Sequence, residues 1–163
     1  MIEVAVADDM LIRSRNAAAE MGKLRNSIRG GAGNIYGFLG EEITKALLPT
    51  DTKHENTYEY DLVLANGETI DVKTKATSVP PLPHYECSVS KTNATQKCDH
   101  YAFARIHNQM DKGWVLGYLS KDDFFKSATY YEKGDKDASN GFVFRASCYS
   151  VPISILKPIG EII

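Results

Sequence analysis

The sequence predicts an α/β fold, and three observations carry that expectation. Two stretches with apolar residues at helical spacing occupy positions 8–48. A hairpin with alternating apolar and polar arms follows at 58–75, and apolar-rich runs at 101–106 and 114–119 supply further strands. With 163 residues, 43% hydrophobic and 25% charged, the chain fits a single domain with a sizeable core.

Residues 8–29 read as the first helix, with Asp8 or Asp9 as cap and Leu11, Ile12, Ala18, Ala19, Met21, Leu24 and Ile28 as its apolar positions. Its polar positions carry Arg13, Arg15, Lys23, Arg25 and Arg29. These suit either a phosphate-contacting arm or the solvated face of a packing or dimerising helix, which leaves a homodimer open. Gly30-Gly31-Ala32-Gly33 breaks the helix. Asn34 is placed to cap a second one, Ile35 to Leu48, which Pro49 ends. Ile35, Phe38, Leu39 and Ala46 form its apolar stripe; Glu42 lies on the edge of that stripe and Glu41 points away from its centre.

After a polar connection, Thr50 to Asn56, comes the hairpin around Asn66-Gly67, two residues that tolerate the positive φ of tight turns. A two-residue loop sets Leu62 opposite Asp71. A three-residue loop of Ala65, Asn66 and Gly67 instead pairs Leu62 with Ile70, Tyr60 with Val72 and Asp61 with Asp71. The second register makes one face apolar (Tyr58, Tyr60, Leu62, Leu64, Ile70, Val72) and the other polar (Glu59, Asp61, Thr69, Asp71, Lys73, Lys75), so it is preferred. Two carboxylates opposite each other repel by a few tenths to ~1 kcal/mol. A divalent cation offsets that cost, and Mg²⁺ is commonly held by one or two carboxylates, waters and phosphate oxygens.

Val79-Pro80-Pro81-Leu82-Pro83 is a rigid connector, and a strand at about His84 to Val89 follows it. Ser90 to Asp99 reads as a loop or short helix whose Lys91, Gln96 and Lys97 suit contact with a DNA backbone. Tyr101 to Ile106 and Trp114 to Leu119 complete the core sheet, a helical turn runs from Ser120 or Lys121 to Phe125, and 128–141 reads as a surface excursion.

Asp61, followed ten residues on by Asp71-Val72-Lys73, resembles the PD-(D/E)XK motif of restriction-endonuclease-like enzymes and Holliday-junction resolvases, with Tyr60 where that motif has proline. Gly37-Phe38-Leu39-Gly40-Glu41-Glu42 is similar to the GxxGE signature on the first core helix of resolvase-like and phage-borne members. The resemblance covers residues 34–120. It implies a restriction-endonuclease-like core, a central mixed sheet flanked by helices, with an added long N-terminal helix (1–33) and a C-terminal elaboration (121–163).

What the resemblance implies chemically is metal-dependent hydrolysis of DNA phosphodiester bonds, by an endonuclease of a small phage or prokaryotic kind. Asp61, Asp71 and the Val72 carbonyl hold Mg²⁺, or Mn²⁺ in its place. Glu41 completes the site, with Glu42 as the alternative that helical periodicity favours. Lys73 orients or deprotonates the attacking water, and Lys75 steadies a phosphate or faces solvent. The alternative is a catalytically inactive module of the same fold that binds nucleic acid or a protein partner.

Other classes find less support. A net charge of −2 is not that of a protein binding nucleic acid by bulk charge, so binding would be local. Cys87, Cys98 and Cys148 are odd in number and lack CxxC, which fits reduced buried thiols. A zinc set of Cys87, Cys98 and His100 with His54 or His107 has only one near pair, and His54, alone in its loop, reads as a surface residue. There is no GxxxxGK[ST] or GxSxG. No apolar run approaches the ~20 residues of a membrane span. With no basic-then-apolar leader at Met1-Ile2-Glu3-Val4, the expected location is the cytoplasm, or the host cytoplasm for a phage-borne protein.

Overall fold

The computed structural model describes residues 1–21, 33–137 and 141–162. Chain order runs β1 (Ile2–Ala5), α1 (Asp8–Met21), α2 (Gly33–Lys45), β2 (Lys53–His54), β3 (Leu62–Val63), β4 (Thr69–Thr77), β5 (Glu86–Ser90), β6 (His100–His107), β7 (Lys112–Ser120), α3 (Lys121–Ser127), β8 (Thr129–Tyr131) and β9 (Cys148–Pro152). Two single 3-10 turns, Ile153–Ile155 and Ile159–Glu161, follow.

Six strands form one mixed sheet in the order β1-β7-β6-β4-β3-β2, in which β4 and β6 are parallel and the other neighbours antiparallel. The parallel pair sits at the centre, covered on both faces, as parallel strands require. Alternation along β6 divides the core: Ala102, Ala104 and Ile106 pack with Leu39 and Ile43 of α2, whereas Tyr101 and Phe103 pack with Val89, Phe124 and Val151 on the opposite face. The protein is therefore layered, with α1 and α2 on one face of the large sheet. α3 and a three-stranded sheet, β5-β9-β8, cover the other. Burying Leu39 and Ile43 completely stabilises the helix layer by about 1.5–3 kcal/mol each.

The helix-to-sheet distance is set by small residues. A Cβ added at Gly40 would lie 1.9 Å from Thr74 Oγ1, so α2 touches β4 backbone-close at this point. Gly40 also carries Glu41 down onto the sheet.

Several expectations are corrected. Ile2–Ala5 is a strand paired with β7 at the sheet edge, which the sequence pattern did not reveal. The strand after the prolines, β5, belongs to the second sheet and not to the core one. The helix of residues 8–29 is described only to Met21; Lys23, Leu24, Arg25, Ile28, Arg29 and the first glycines lie outside the described residues. α2 begins at Gly33, so Asn34 stands in its first turn and not before it. Tyr58 is exposed and Tyr60 half-buried, because the chain turns at Thr57–Tyr60 and leaves the strand that alternation had extended through them. The three cysteines are free and buried, as expected.

Candidate active site

The hairpin loop has the three residues that the alternation demanded. Leu64 N–H donates to the Glu68 carbonyl and Gly67 N–H to the Leu64 carbonyl, both at 2.9 Å, and Gly67 takes a φ of +88°. Leu62 therefore faces Ile70. Beyond Leu62 the expected pairing fails. Asp61 N–H donates to the Ile70 carbonyl at 2.9 Å, and the Asp61 carbonyl accepts the Glu55 N–H at 2.9 Å, so the chain has already begun to leave the ladder. Asp61 and Asp71 are not simple cross-strand partners, and Tyr60 does not face Val72. Where the ladder ends, Val72 N–H needs another acceptor. The Asp61 carboxylate supplies it, at 2.7 Å.

Asp71, only 3% exposed, projects from β4 on the face away from α2. Lys73 Nζ lies 2.5 Å from its Oδ2, and Gln96 Nε2 donates to its Oδ1 at 3.2 Å. Gln96 also accepts from Lys73 Nζ at 3.0 Å and donates to the Tyr58 carbonyl at 2.5 Å. Gln96 is buried, so it is not the DNA-backbone contact its polar loop suggested. It fixes the Asp71–Lys73 pair instead. Of the loop's other two candidates, Lys91 lies over the Tyr130 ring and Lys97 donates its backbone N–H to Glu59.

Glu41 comes from the opposite side. α2 packs on the apolar face of the hairpin, and Glu41 reaches the cleft of Asp61 past the short strand β3. It is 7% exposed, shares a cleft of about 180 Å³ with Asp61, Asn56 and Thr57, and lies 3.2 Å from His54 Nε2 on β2. Glu42 turns the other way, its two oxygens accepting from Arg13 Nε at 3.0 Å and Arg13 Nη2 at 2.7 Å. Of the two glutamates, Glu41 is the one beside the aspartates. Apolar periodicity favoured Glu42 because the buried flank of α2 runs through Gly40 and Thr44, neither of which registers as hydrophobic. His54, expected at the surface, is half-buried against Glu41.

Burial raises all three carboxyls, and Asp61 and Glu41 also feel the charge of Asp71. Burial, then the charges of Glu41 and Asp71, pushes Asp61 up to about 8 against the opposing Val72 N–H and Lys73. Burial raises Glu41 too, opposed by His54 and reinforced by Asp71 and Glu42. Burial also raises Asp71, opposed by Lys73 and Gln96. Three acids are held where their combined negative charge is under-compensated.

Carboxylate oxygens are the ligand type that a hard divalent cation takes. Asp71 Oδ2 and Glu41 Oε2 are both buried without a regular hydrogen bond. In the arrangement seen, Lys73 sits on Asp71 and His54 on Glu41, and among the described residues no three Asp, Glu, His or Cys side chains converge closely enough to hold an ion. Val72 places its side chain in the helix-side core, and because its N–H points toward β3 its carbonyl does too, on the side of Asp61. Lys75 is exposed, and its Nζ donates to the Glu86 carbonyl at 3.2 Å and to Ser88 Oγ at 3.0 Å.

No family model matches the chain, and no curated protein matches it. Among the described residues, no helix is long and apolar enough to cross a membrane.

Proposed function

We propose that this protein is a metal-dependent nuclease that hydrolyses DNA phosphodiester bonds, acting as an endonuclease of the restriction-endonuclease-like class. The observation that carries the proposal is the placing of Glu41 and Asp61 in one cleft, with the Asp71–Lys73 pair on the neighbouring strand, near the point where the β3–β4 ladder ends. Burial raises the pKa of all three acids, and neighbouring carboxylates raise Glu41 and Asp61 further, a perturbation characteristic of functional sites.

Bound Mg²⁺ or Mn²⁺ would polarise the phosphoryl oxygen and lower the pKa of a coordinated water. Asp61, Asp71 and Glu41 would hold it, with the Val72 carbonyl as a further oxygen. The chain's own residues do the remainder. Lys73 stands at the Asp71 carboxylate, held there by Gln96, and from that place its ammonium orients the attacking water and stabilises charge growing on the phosphate. His54 restrains Glu41 and offsets part of its charge. DNA is the substrate we assign, and the cytoplasm of the cell, or of a host, the compartment.

A second reading rests on one observation: Lys73 and His54 occupy two of the three carboxylates, which is also what an inactive binding module of this fold would show. Incubating the protein with linear, circular, single-stranded and four-way-junction DNA, with Mg²⁺ or with chelator, separates the two. Cleavage of any of these forms only with metal supports the nuclease. Binding without cleavage under every condition supports the module.

A further inference from the structure

On the face of β4 away from α2, Lys73, Lys75 and Arg105 line a cavity of about 190 Å³ with Ser88, Ser90 and Asn93. That exceeds the roughly 150 Å³ that admits a benzene-sized guest. Lys75 and Arg105 are register partners on the parallel strands β4 and β6, so two cations stand side by side on one face. Like charges so placed repel. Neither makes an ion pair among the described residues.

Both rely on neutral acceptors. Arg105 Nη2 shares the Glu86 carbonyl with Lys75, at 3.3 Å, while Arg105 Nε is buried with no hydrogen-bond partner. The guanidinium lies 5.2 Å from the centre of the Tyr85 ring, which fixes its plane. The Glu86 carboxyl in the same wall is raised by burial and by Asp137 and lowered by Lys75, and burial pushes the Cys87 thiol up to about 12, so the thiol brings no negative charge. Three cations, Lys73, Lys75 and Arg105, thus face the single carboxyl of Glu86 among the lining residues, with hydroxyl and amide groups on the rim.

We infer that this cavity is an anion pocket in which Lys75 and Arg105 bind a phosphate group of the substrate beside the cleavage site. A planar guanidinium fork with unused donors suits tetrahedral oxyanions, and a lysine adds a point charge. Lys73 and Lys75 lie two residues apart on one strand, roughly 7 Å, so a chain of phosphates engaged at Lys73 reaches the pocket with a neighbouring group. That the phosphate belongs to a nucleic acid rests on the nuclease proposal; that the pocket takes phosphate does not.

The test uses the full chain in chelator, so that binding is read apart from cleavage. Inorganic phosphate, a nucleoside 5′-monophosphate and a short oligonucleotide with and without its 5′-phosphate are titrated against wild type, Lys75→Gln and Arg105→Gln. Amide chemical shifts and thermal midpoints are followed. The pocket predicts phosphate-induced shifts at Ser88, Ser90, Asn93 and Arg105 in wild type, and at least tenfold weaker binding in either variant. A preference for the 5′-phosphorylated oligonucleotide identifies a terminal group as the guest; equal binding of the two, still weakened by the variants, identifies an internal diester. Absence of those shifts in wild type, or undiminished binding in a folded variant, overturns the inference; if a variant fails to fold, the wild-type shifts alone decide it. Metal-dependent cleavage that persists without a phosphate pocket leaves the nuclease standing, and a phosphate pocket on a chain that never cleaves leaves the pocket standing.

Discussion

The carboxylate of Asp61 accepts the backbone N–H of Val72 at 2.7 Å. The side chain thus takes the place of a ladder carbonyl at the point where β3 stops, and that interruption lets an acid from α2 approach an acid from β4. The proposed site depends on the hairpin ending early.

Lys73→Ala removes the cation nearest Asp71. In the metal-free protein this leaves a buried carboxylate with only Gln96, and the variant is expected to unfold at lower temperature than wild type near pH 8. Added Mg²⁺ should recover much of that loss, while cleavage falls by on the order of 10²-fold. Isothermal titration and cleavage rates check the two halves. A loss of metal affinity as large as the loss of rate would contradict the role assigned to Lys73.

The pH dependence follows from the raised carboxyls. A group whose folded pKa lies above its unfolded one stabilises the protein fully below the unfolded value and loses that contribution as pH rises through the folded value. With Asp61 at about 8 and Glu41 and Asp71 also raised, the metal-free protein is expected to lose stability between about pH 4 and pH 8. Mg²⁺ binds the ionised forms, so the thermal shift it produces should grow over the same window. Melting curves from pH 5 to 9, with chelator or with Mg²⁺, measure this. A flat metal-free profile would count against a shared acidic site.

Gly40→Ala places a methyl group on Thr74. Lifting α2 off β4 is expected to cost about 1–3 kcal/mol, as overpacking does, and to displace Glu41 from Asp61. Gly40→Ala combined with Thr74→Ala should recover part of the stability, since the nearest atom, Oγ1, is then gone while Cβ at 2.9 Å remains. Chemical denaturation of these two variants and of Thr74→Ala alone reads the coupling; strict additivity would show that the two residues do not touch.

Much of this was legible in the sequence, for identifiable reasons. The hairpin register could be read because Leu62, Leu64, Ile70 and Val72 must all reach one core, which a slip of one residue would reverse. The strands β6 and β7 announced themselves by apolar-rich runs. Tyr58 and Tyr60 misled because alternation continues past the point where Asp61 leaves the ladder, and only the Val72 N–H, seen in three dimensions, shows why it leaves. Gln96 carried no signal at all, since a glutamine in a polar loop looks the same whether it faces water or an ion pair. β1 is four residues long and packs at a sheet edge, too short for periodicity to register.

The most direct test of the central claim compares wild type with Asp71→Asn on supercoiled plasmid DNA across a Mg²⁺ titration. Asn keeps the shape and the contact with Gln96 but removes the charge that Lys73 pairs with, so a melting curve in chelator first establishes that the variant is folded. The account predicts Mg²⁺-dependent nicking by wild type and a rate lower by on the order of 10²-fold or more in the folded variant. Equal Mg²⁺-dependent nicking by the two proteins, or none by wild type at any metal concentration, would contradict it.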